Sequence, residues 1–217
     1  TRQIRELLYD YCEIAVNTGI RPGTEMENIT WGDIEIRTQK NKIQFFINVR
    51  KGKTTKYTGT RKVVCRKDVI GAIKRLRERF PTRLPSQKLF RLANGETTPQ
   101  LGKAFEKVLQ SNNLKDSPRG PRTLYSLRHT YITWQLLAGE NTDIIVAQCG
   151  TSAAMIEQHY SHVKPEMFAN SLSGVTFDKE EPKALSKKTL HRRAKTAERD
   201  EKRFKEWVEE YKRRGCI

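Results

Sequence analysis

The chain of 217 residues has 42 lysines and arginines against 25 aspartates and glutamates, so its formal net charge is +17. A charge of this size indicates a polyanionic partner, which is either nucleic acid or an acidic membrane surface. A membrane-embedded protein is excluded, because the mean hydropathy is −0.74 and no apolar run approaches the roughly 20 residues that span a bilayer. The length fits one large domain with an appendage.

The four cysteines lie far apart, at Cys12, Cys65, Cys149 and Cys216, and no pair has the C-x-x-C spacing. This distribution argues against a zinc ribbon and against a disulfide framework, and it predicts a reducing, cytoplasmic compartment. The first residues do not resemble a signal peptide. A helical pattern begins almost directly after Thr1, so we expect the whole protein to have a further N-terminal portion.

The first predicted element is a helix over residues 3 to 18. Its apolar residues recur at helical spacing, and they are Ile4, Leu7, Leu8, Tyr11, Ile14 and Ala15. Gly19 is a natural stop for such a helix. Three short strands are predicted next, at residues 31–37, 43–49 and 61–65, and the last two flank a turn rich in glycine, threonine and lysine. These strands predict one small antiparallel sheet near the start of the chain.

Helical spacing dominates the sequence after the third strand. The predicted helices lie near residues 67–79, 100–112, 124–138, 142–149, 153–162 and 165–171. The predicted fold class is therefore mainly α with a small antiparallel β-sheet (α+β), within a domain that covers residues 1–175.

Residues 176–217 differ in composition from this domain, because lysine, arginine and glutamate dominate them. They predict a long charged helix over about 184 to 213, with a narrow apolar stripe near its end. The stripe is formed by Phe204, Trp207, Val208 and Tyr211. This basic helical extension either folds back on its own domain or docks on a neighbouring protomer, and the sequence leaves both alternatives open.

Three residues carry the most information about function. Arg21 follows the predicted first helix, Arg128 lies near the start of the predicted helix 124–138, and Tyr160 lies within the predicted helix 153–162. The planar guanidinium of arginine binds two phosphate oxygens at once and keeps its charge. A tyrosine hydroxyl has an ordinary pKa of about 10, so it attacks a phosphate only where surrounding cations favour the phenolate. The trio predicts two cations that clamp one phosphate and a phenol that attacks it.

The segments around these three residues are similar to the sequence boxes of the tyrosine recombinase (phage integrase) family. They are residues 18–25 with 29–34, residues 124–131, and residues 149–152 with 158–162. They occur in the order that the family has and cover residues 18 to 162. The resemblance implies the family's catalytic-domain fold, that of a DNA breaking-rejoining enzyme. It also implies that Arg21 and Arg128 hold the non-bridging oxygens of a DNA phosphate while Tyr160 acts as the nucleophile.

The resemblance further implies a general acid, which in this family is a lysine in a β-hairpin turn. The corresponding turn is residues 50–61, and its Gly-Lys-Thr stretch favours Lys53, with Lys51 as the alternative. These lysines could instead all contact the DNA backbone. A Walker phosphate loop is not supported, because Ile47 stands five residues before Gly52, where that motif has glycine.

Two positions depart from the family's pattern. Tyr125 stands where the family has a histidine three residues before the second arginine, and Thr151 stands where it has a histidine or tryptophan after glycine. Both side chains can still donate a hydrogen bond to a phosphate oxygen, and we expect both to complete the pocket. Neither can act as a base near neutral pH as histidine can.

His159 and His162 flank Tyr160 at helical spacing. A metal site needs three or four ligands, and no third ligand lies in register. We therefore interpret the two histidines as helix-surface residues or as contacts to the DNA backbone. The resemblance implies no metal, no ATP and no other cofactor.

The expected function is site-specific recombination of double-stranded DNA through a 3′-phosphotyrosine intermediate, for a phage or another mobile element of bacteria. The family acts as a homo-tetramer on two duplexes, and a monomer remains the alternative without DNA. A separate N-terminal DNA-binding domain is expected outside this sequence, so the affinity of this portion for DNA should be modest and strongly salt-dependent. Two other classes fit the same residues: a type IB topoisomerase, and a DNA-binding relative without catalytic activity.

Overall fold

The structure is a computed structural model that describes residues 2–39, 42–52 and 59–160, together with Val163 and Phe168. The chain divides into two units, Thr1–Lys164 and Pro165–Ile217, and nearly all of the described residues belong to the first. The predicted C-terminal helix over 184–213 and the predicted helix 165–171, apart from Phe168, lie outside the described residues. The domain boundary near residue 175 stays a prediction.

Helix α1 (Arg2–Thr18) confirms the first predicted element. Its buried stripe consists of Leu7, Leu8, Tyr11, Ile14 and Ala15. The helix ends at Gly19, which has a φ of 68°, a left-handed conformation that glycine adopts without steric cost. A β-carbon at Gly19 would overlap the ring of Tyr131, so this position requires glycine for space as well as for conformation.

A three-stranded antiparallel sheet follows, with strands β1 (Ile34–Gln39), β2 (Lys42–Val49) and β3 (Arg61–Cys65) in the order β1-β2-β3. In its register Ile34 pairs with Ile47 and Phe45 pairs with Cys65. The strands therefore confirm the predicted small antiparallel sheet. The sheet's buried face includes Ile34, Ile36, Phe45, Ile47 and Val63.

The predicted start of the first strand at residue 31 is wrong. Residues Trp31–Asp33 form a single 3₁₀ turn, and β1 begins only at Ile34. The backbone N–H and the hydroxyl of Thr30 both donate to the Asp33 carboxylate, at 2.9 and 2.7 Å. These local hydrogen bonds stabilise a turn at Thr30, in place of the backbone pairing of a β-strand. The sequence prediction also missed a one-turn helix, α2 (Thr24–Glu27).

The remaining helices agree with their predicted bounds to within two residues. They are α3 (Val69–Arg79), α4 (Leu101–Ser111), α5 (Tyr125–Leu137), α6 (Thr142–Cys149) and α7 (Ala153–Tyr160). Helix α1 packs against α3, α4 and α5. Residues 161 and 162, the predicted end of the helix 153–162, lie outside the described residues. Within the described part of the chain, no helix is both long and apolar enough to cross a bilayer.

A second apolar cluster joins α5, α6 and α7. Its members are Tyr131, Ile132, Ile145, Cys149, Ile156 and Tyr160. Because Tyr160 is part of this cluster, the fold holds the last turn of α7 against α5. The three segments that the sequence analysis singled out therefore meet at one place, where the end of α1 contacts α5 and α6.

Candidate active site

Arg21 lies in the turn between α1 and α2, and its side chain is 17% exposed. Its Nη1 donates to Oε1 of Glu25 at 3.0 Å, and its backbone N–H donates to Oε2 of the same carboxylate at 3.1 Å. Its Nη2 donates to the carbonyl oxygen of Gly150, just beyond α6. These bonds fix the guanidinium between the end of α1 and the end of α6.

Arg128 lies in the first turn of α5 and is only 2% exposed. Its Nη1 donates to the carbonyl oxygens of Gly19 and Cys149, at 2.7 Å each. Burial is the main cause that lowers the pKa of Arg128, and the nearby charge of Arg21 acts in the same direction. The two guanidiniums are therefore close enough to repel each other, and an anion between them would relieve that repulsion.

The main chain at the end of α6 supplies the acceptors for both arginines. Gly150 adopts a left-handed conformation, with φ 63° and ψ 48°, and its N–H donates to the carbonyl of Val146. This turn directs the carbonyls of Cys149 and Gly150 toward Arg128 and Arg21. The carbonyl end of a helix also carries partial negative charge, which favours cations there.

Glu25 and Arg61 complete the surroundings of Arg21. The Glu25 carboxylate is 2% exposed and accepts a 2.6 Å hydrogen bond from Nη2 of Arg61, the first residue of β3. Burial raises the pKa of Glu25, but the hydrogen bond and charge of Arg61, together with those of Arg21, outweigh it and hold the pKa below its ordinary value. Glu25 is therefore a buried anion shared by two arginines.

Glu25 stands in the first sequence box, but no role was predicted for it or for Arg61. In the sequence, Arg61 is one of many basic residues in and after the hairpin turn. What distinguishes Arg61 is its contact with Glu25 from the first position of β3. That contact depends on how the sheet packs in the folded protein, so the sequence alone does not show it.

The hairpin that carries the predicted general acid begins directly above Glu25. A β-carbon on Gly52 would lie 2.7 Å from Cγ of Glu25, so the backbone of the turn contacts this side chain. Lys51 is exposed. The pKa of Lys88 is lowered mainly by burial and secondly by the positive charge of Lys51. Lys53 lies outside the described residues. Gly52, at the described start of the turn, therefore lies against Glu25, the carboxylate that binds Arg21, and the choice between the two lysines stays a prediction.

Tyr160 is the last residue of α7 and is 7% exposed. Its hydroxyl oxygen lies 2.7 Å from Nδ1 of His129, a residue that the sequence analysis did not assign. Burial raises the pKa of the Tyr160 hydroxyl, and the charge of Arg128 opposes this without compensating for it. Without a group that accepts its proton, the phenol would stay protonated near neutral pH.

The two positions that depart from the family's pattern lie at the edges of this arrangement. The ring centroid of Tyr125 lies 6.0 Å from Cζ of Arg128 and 5.1 Å from the ring centroid of His129. Tyr125 is 41% exposed. Thr151 is half-buried and donates its backbone N–H to the carbonyl of Val146 at 3.2 Å. The ring of Tyr125 thus lies beside Arg128, and Thr151 follows Gly150, whose carbonyl binds Arg21; the role of both in a phosphate pocket stays a prediction.

His159 is exposed, and its ring centroid lies 6.2 Å from that of His129. His162 lies outside the described residues. Among the residues that the structure does describe, no group of three or more potential ligands could hold a metal ion.

A cleft of about 640 Å³ opens beside Tyr160. Arg119 and Arg122 lie on its wall, as do Tyr125 and Trp134. Cationic and aromatic side chains together suit the phosphates and bases of a nucleic acid. The cleft therefore has the kinds of side chain that bind a nucleic-acid strand, and Tyr160 lies on its wall.

The sequence matches no protein-family model and no curated protein. Several solved structures resemble its fold. The XerH site-specific recombinase bound to its difH substrate, in a pre-cleavage complex, matches with a TM-score of 0.57 and 18% identity over 80% of this chain and 48% of the XerH chain. The Tn1549 transposon integrase in complex with circular intermediate DNA matches with a TM-score of 0.54 and 22% identity over 76% of this chain and 57% of its own. XerA recombinase matches with a TM-score of 0.53 and 19% identity over 80% of this chain and 63% of its own.

These likenesses define the fold. The chain has the fold of the catalytic domain of tyrosine recombinases, with a small three-stranded antiparallel sheet beside a group of helices. The resemblance identified from the sequence boxes is confirmed at this level. The chain spans about half of the length of the XerH chain that it matches.

Proposed function

We propose that this chain is the catalytic portion of a site-specific DNA recombinase of the integrase type. One observation supports the proposal most strongly: the guanidiniums of Arg21 and Arg128 bind neighbouring carbonyls at the end of α6, and the charge of Arg128 acts on the Tyr160 hydroxyl. Two fixed cations beside a nucleophile are what phosphoryl transfer requires from a protein. The structural neighbours, two of them bound to DNA, support the same chemistry.

In the proposed reaction, Tyr160 attacks a DNA phosphate and forms a 3′-phosphotyrosine bond while the 5′-oxygen leaves. Arg21 and Arg128 stabilise the charge on the non-bridging oxygens, and Tyr125 and Thr151 add hydrogen bonds to them. A hairpin lysine, Lys53 or Lys51, protonates the leaving oxygen. The 5′-hydroxyl of a partner strand then attacks the phosphotyrosine and joins the strands.

The energy of the cleaved bond is retained in the protein–DNA ester, so the reaction needs no ATP. Its chemistry is complete with side chains of this chain alone, and we propose that it needs no metal ion. We further propose that four copies act on two duplexes in the cytoplasm of a bacterium, and that residues 176–217 form an extension outside the catalytic domain.

The test uses nicked suicide duplexes made from the DNA that flanks the protein's own gene. On these substrates the wild-type protein should form an adduct that resists denaturation, and peptide mapping should locate the adduct on Tyr160. Tyr160→Phe should abolish the adduct, while Tyr9→Phe, on the exposed face of α1, should leave it unchanged. An adduct that persists in Tyr160→Phe contradicts the assignment of the nucleophile.

The same substrates separate recombination from simple strand passage. Joining of strands between two different duplexes supports a recombinase, whereas relaxation of supercoils without such joining indicates a topoisomerase. DNA binding with no adduct on any flanking sequence contradicts both enzymatic functions and leaves a DNA-binding protein.

A further inference from the structure

The contact between His129 and Tyr160 joins two reactive side chains from different helices. We propose that His129 is the base that removes the proton from Tyr160 as the tyrosine attacks DNA. This inference rests on the proposed phosphotyrosine chemistry and adds a catalytic residue that touches the nucleophilic atom itself.

The geometry supports direct proton transfer. The Tyr160 hydroxyl oxygen and Nδ1 of His129 are 2.7 Å apart, within the range of about 2.6–3.2 Å that general-base catalysis needs. In the neutral imidazole with its proton on Nε2, Nδ1 is an acceptor. Tyr160 then donates its proton toward the nitrogen that would receive it.

The packing around the pair holds this geometry. Tyr160 belongs to the apolar cluster between α5 and α7, and the ring centroids of His129 and Tyr160 lie 5.5 Å apart. His129 immediately follows the buried Arg128 in α5, so the helix that aligns the cation on the phosphate also aligns the base on the nucleophile. One rigid element thus serves both tasks.

The chemistry of the pocket makes a base necessary. Because the Tyr160 hydroxyl is buried, its neutral form is favoured, and the free phenolate is not available near neutral pH. Imidazole is the side chain that exchanges protons in this pH range. The phenol of Tyr125, one helical turn before His129, cannot take that role.

The proposed step is balanced in atoms and charge. The Tyr160 oxygen forms a bond to phosphorus, its proton passes to Nδ1 of His129, and the bond from phosphorus to the 5′-oxygen breaks. The 5′-oxygen takes a proton from the hairpin lysine. The reverse step returns one proton from His129 to Tyr160 and the other from the 5′-hydroxyl to the lysine, so the site is regenerated.

The first test is the single-turnover rate of adduct formation by His129→Gln in the whole protein. Glutamine can still accept a hydrogen bond but cannot accept a proton, so the rate should fall by about 10²- to 10⁴-fold while DNA affinity is unchanged. The control is Glu157→Gln, an exposed residue of the same helix as Tyr160 that does not line the cleft, and its rate should stay within about threefold of the wild type.

A second substrate shows whether His129 acts as a general base on Tyr160 or as a general acid on the leaving oxygen. Replacing the 5′-bridging oxygen by sulfur creates a leaving group that needs no protonation. His129→Gln should remain slow on this substrate, because the nucleophile still has to lose its proton. A wild-type rate for His129→Gln on the ordinary substrate overturns the proposal, and so does recovery of the variant on the sulfur substrate.

A third measurement needs no histidine variant and so holds even if His129→Gln fails to fold. Nitrogen NMR of the wild-type protein, at a pH where the ring is neutral, should show Nδ1 of His129 unprotonated, with a shift that changes in Tyr160→Phe. A proton on Nδ1 overturns the proposal. A wild-type protein that forms no adduct on any substrate overturns the proposed function together with the role of His129, whereas an adduct that His129→Gln forms normally overturns the role of His129 alone.

Discussion

Replacing Glu25 by glutamine tests whether a buried anion holds the arginine pair together. Among the described contacts, Arg21 and Arg61 each donate two hydrogen bonds to the two carboxylate oxygens. Each oxygen accepts one bond from each arginine. In Glu25→Gln one oxygen becomes an amide nitrogen that cannot accept, and its hydrogens point at guanidinium groups.

The structure sets the size of the effect. Glu25→Gln loses two hydrogen bonds to the carboxylate, and each such bond is worth about 1.5–3 kcal/mol. Removing the charge of one partner in a buried ion pair costs about 3–5 kcal/mol in other proteins. We therefore expect the free energy of unfolding to fall by about 3–5 kcal/mol. For a chain of this size the melting temperature should fall by about 10 °C.

Chemical denaturation at neutral pH measures this loss, with Glu27→Gln as the control. Glu27 lies two residues away in α2 and is exposed, so its replacement should change the free energy of unfolding by less than about 0.5 kcal/mol. If Glu25→Gln is as stable as Glu27→Gln, the idea that the carboxylate holds the two arginines is refuted.

The same variant gives a pH dependence with a definite sign. The pKa of Glu25 in the folded state lies below its ordinary value of 4.5. Its carboxylate therefore stabilises the fold above pH 4.5, and this contribution disappears as the pH falls through the lower, folded value. The difference in the free energy of unfolding between the wild type and Glu25→Gln should be constant near neutral pH and should decrease in acid. A difference that increases in acid contradicts the assignment.

Two further substitutions test the contacts that bring the end of α1 to α6. Gly19→Ala forces a side chain into a left-handed position against the ring of Tyr131, and denaturation should show a loss of about 2–5 kcal/mol. Gly102→Ala, in a helix with open space around it, should instead gain up to about 0.5 kcal/mol, and equal effects would contradict the steric argument. Gln148→Ala removes amide bonds to three elements and should cost about 2 kcal/mol in the same assay. Gln110→Ala, on the exposed face of α4, should cost almost nothing, and a similar loss there would argue against the amide's role.

The fold was predictable from the sequence wherever a core-facing stripe repeats over several turns. Helix α1 shows this best, because its apolar residues repeat at helical spacing from end to end. Periodicity is recognised only over several turns, so the four residues of α2 carried no signal. It also failed at Thr30, whose hydrogen bonds to Asp33 turn the chain before the strand begins.

The sequence predicted only part of the candidate site that the structure brings together. Arg21, Arg128 and Tyr160 stand in local motifs that a single sequence displays. Arg61 and His129 act through partners 36 and 31 residues away, and such pairings depend on how the sheet and helices are assembled. The sequence therefore indicates residues that stand in local motifs more readily than residues whose partners are brought near only by the fold.

The side chain of Gln148 has a consequence for the edge of the sheet. Strand β3 is an outer strand, and Val64 on it is 52% exposed. An outer strand with open backbone groups and an apolar residue invites pairing with a strand of another molecule. The Gln148 amide binds both the N–H and the carbonyl of Val64, at 3.0 and 2.7 Å. It thus occupies the outward-facing hydrogen-bonding groups of Val64, and so opposes the addition of a strand at this point of the edge.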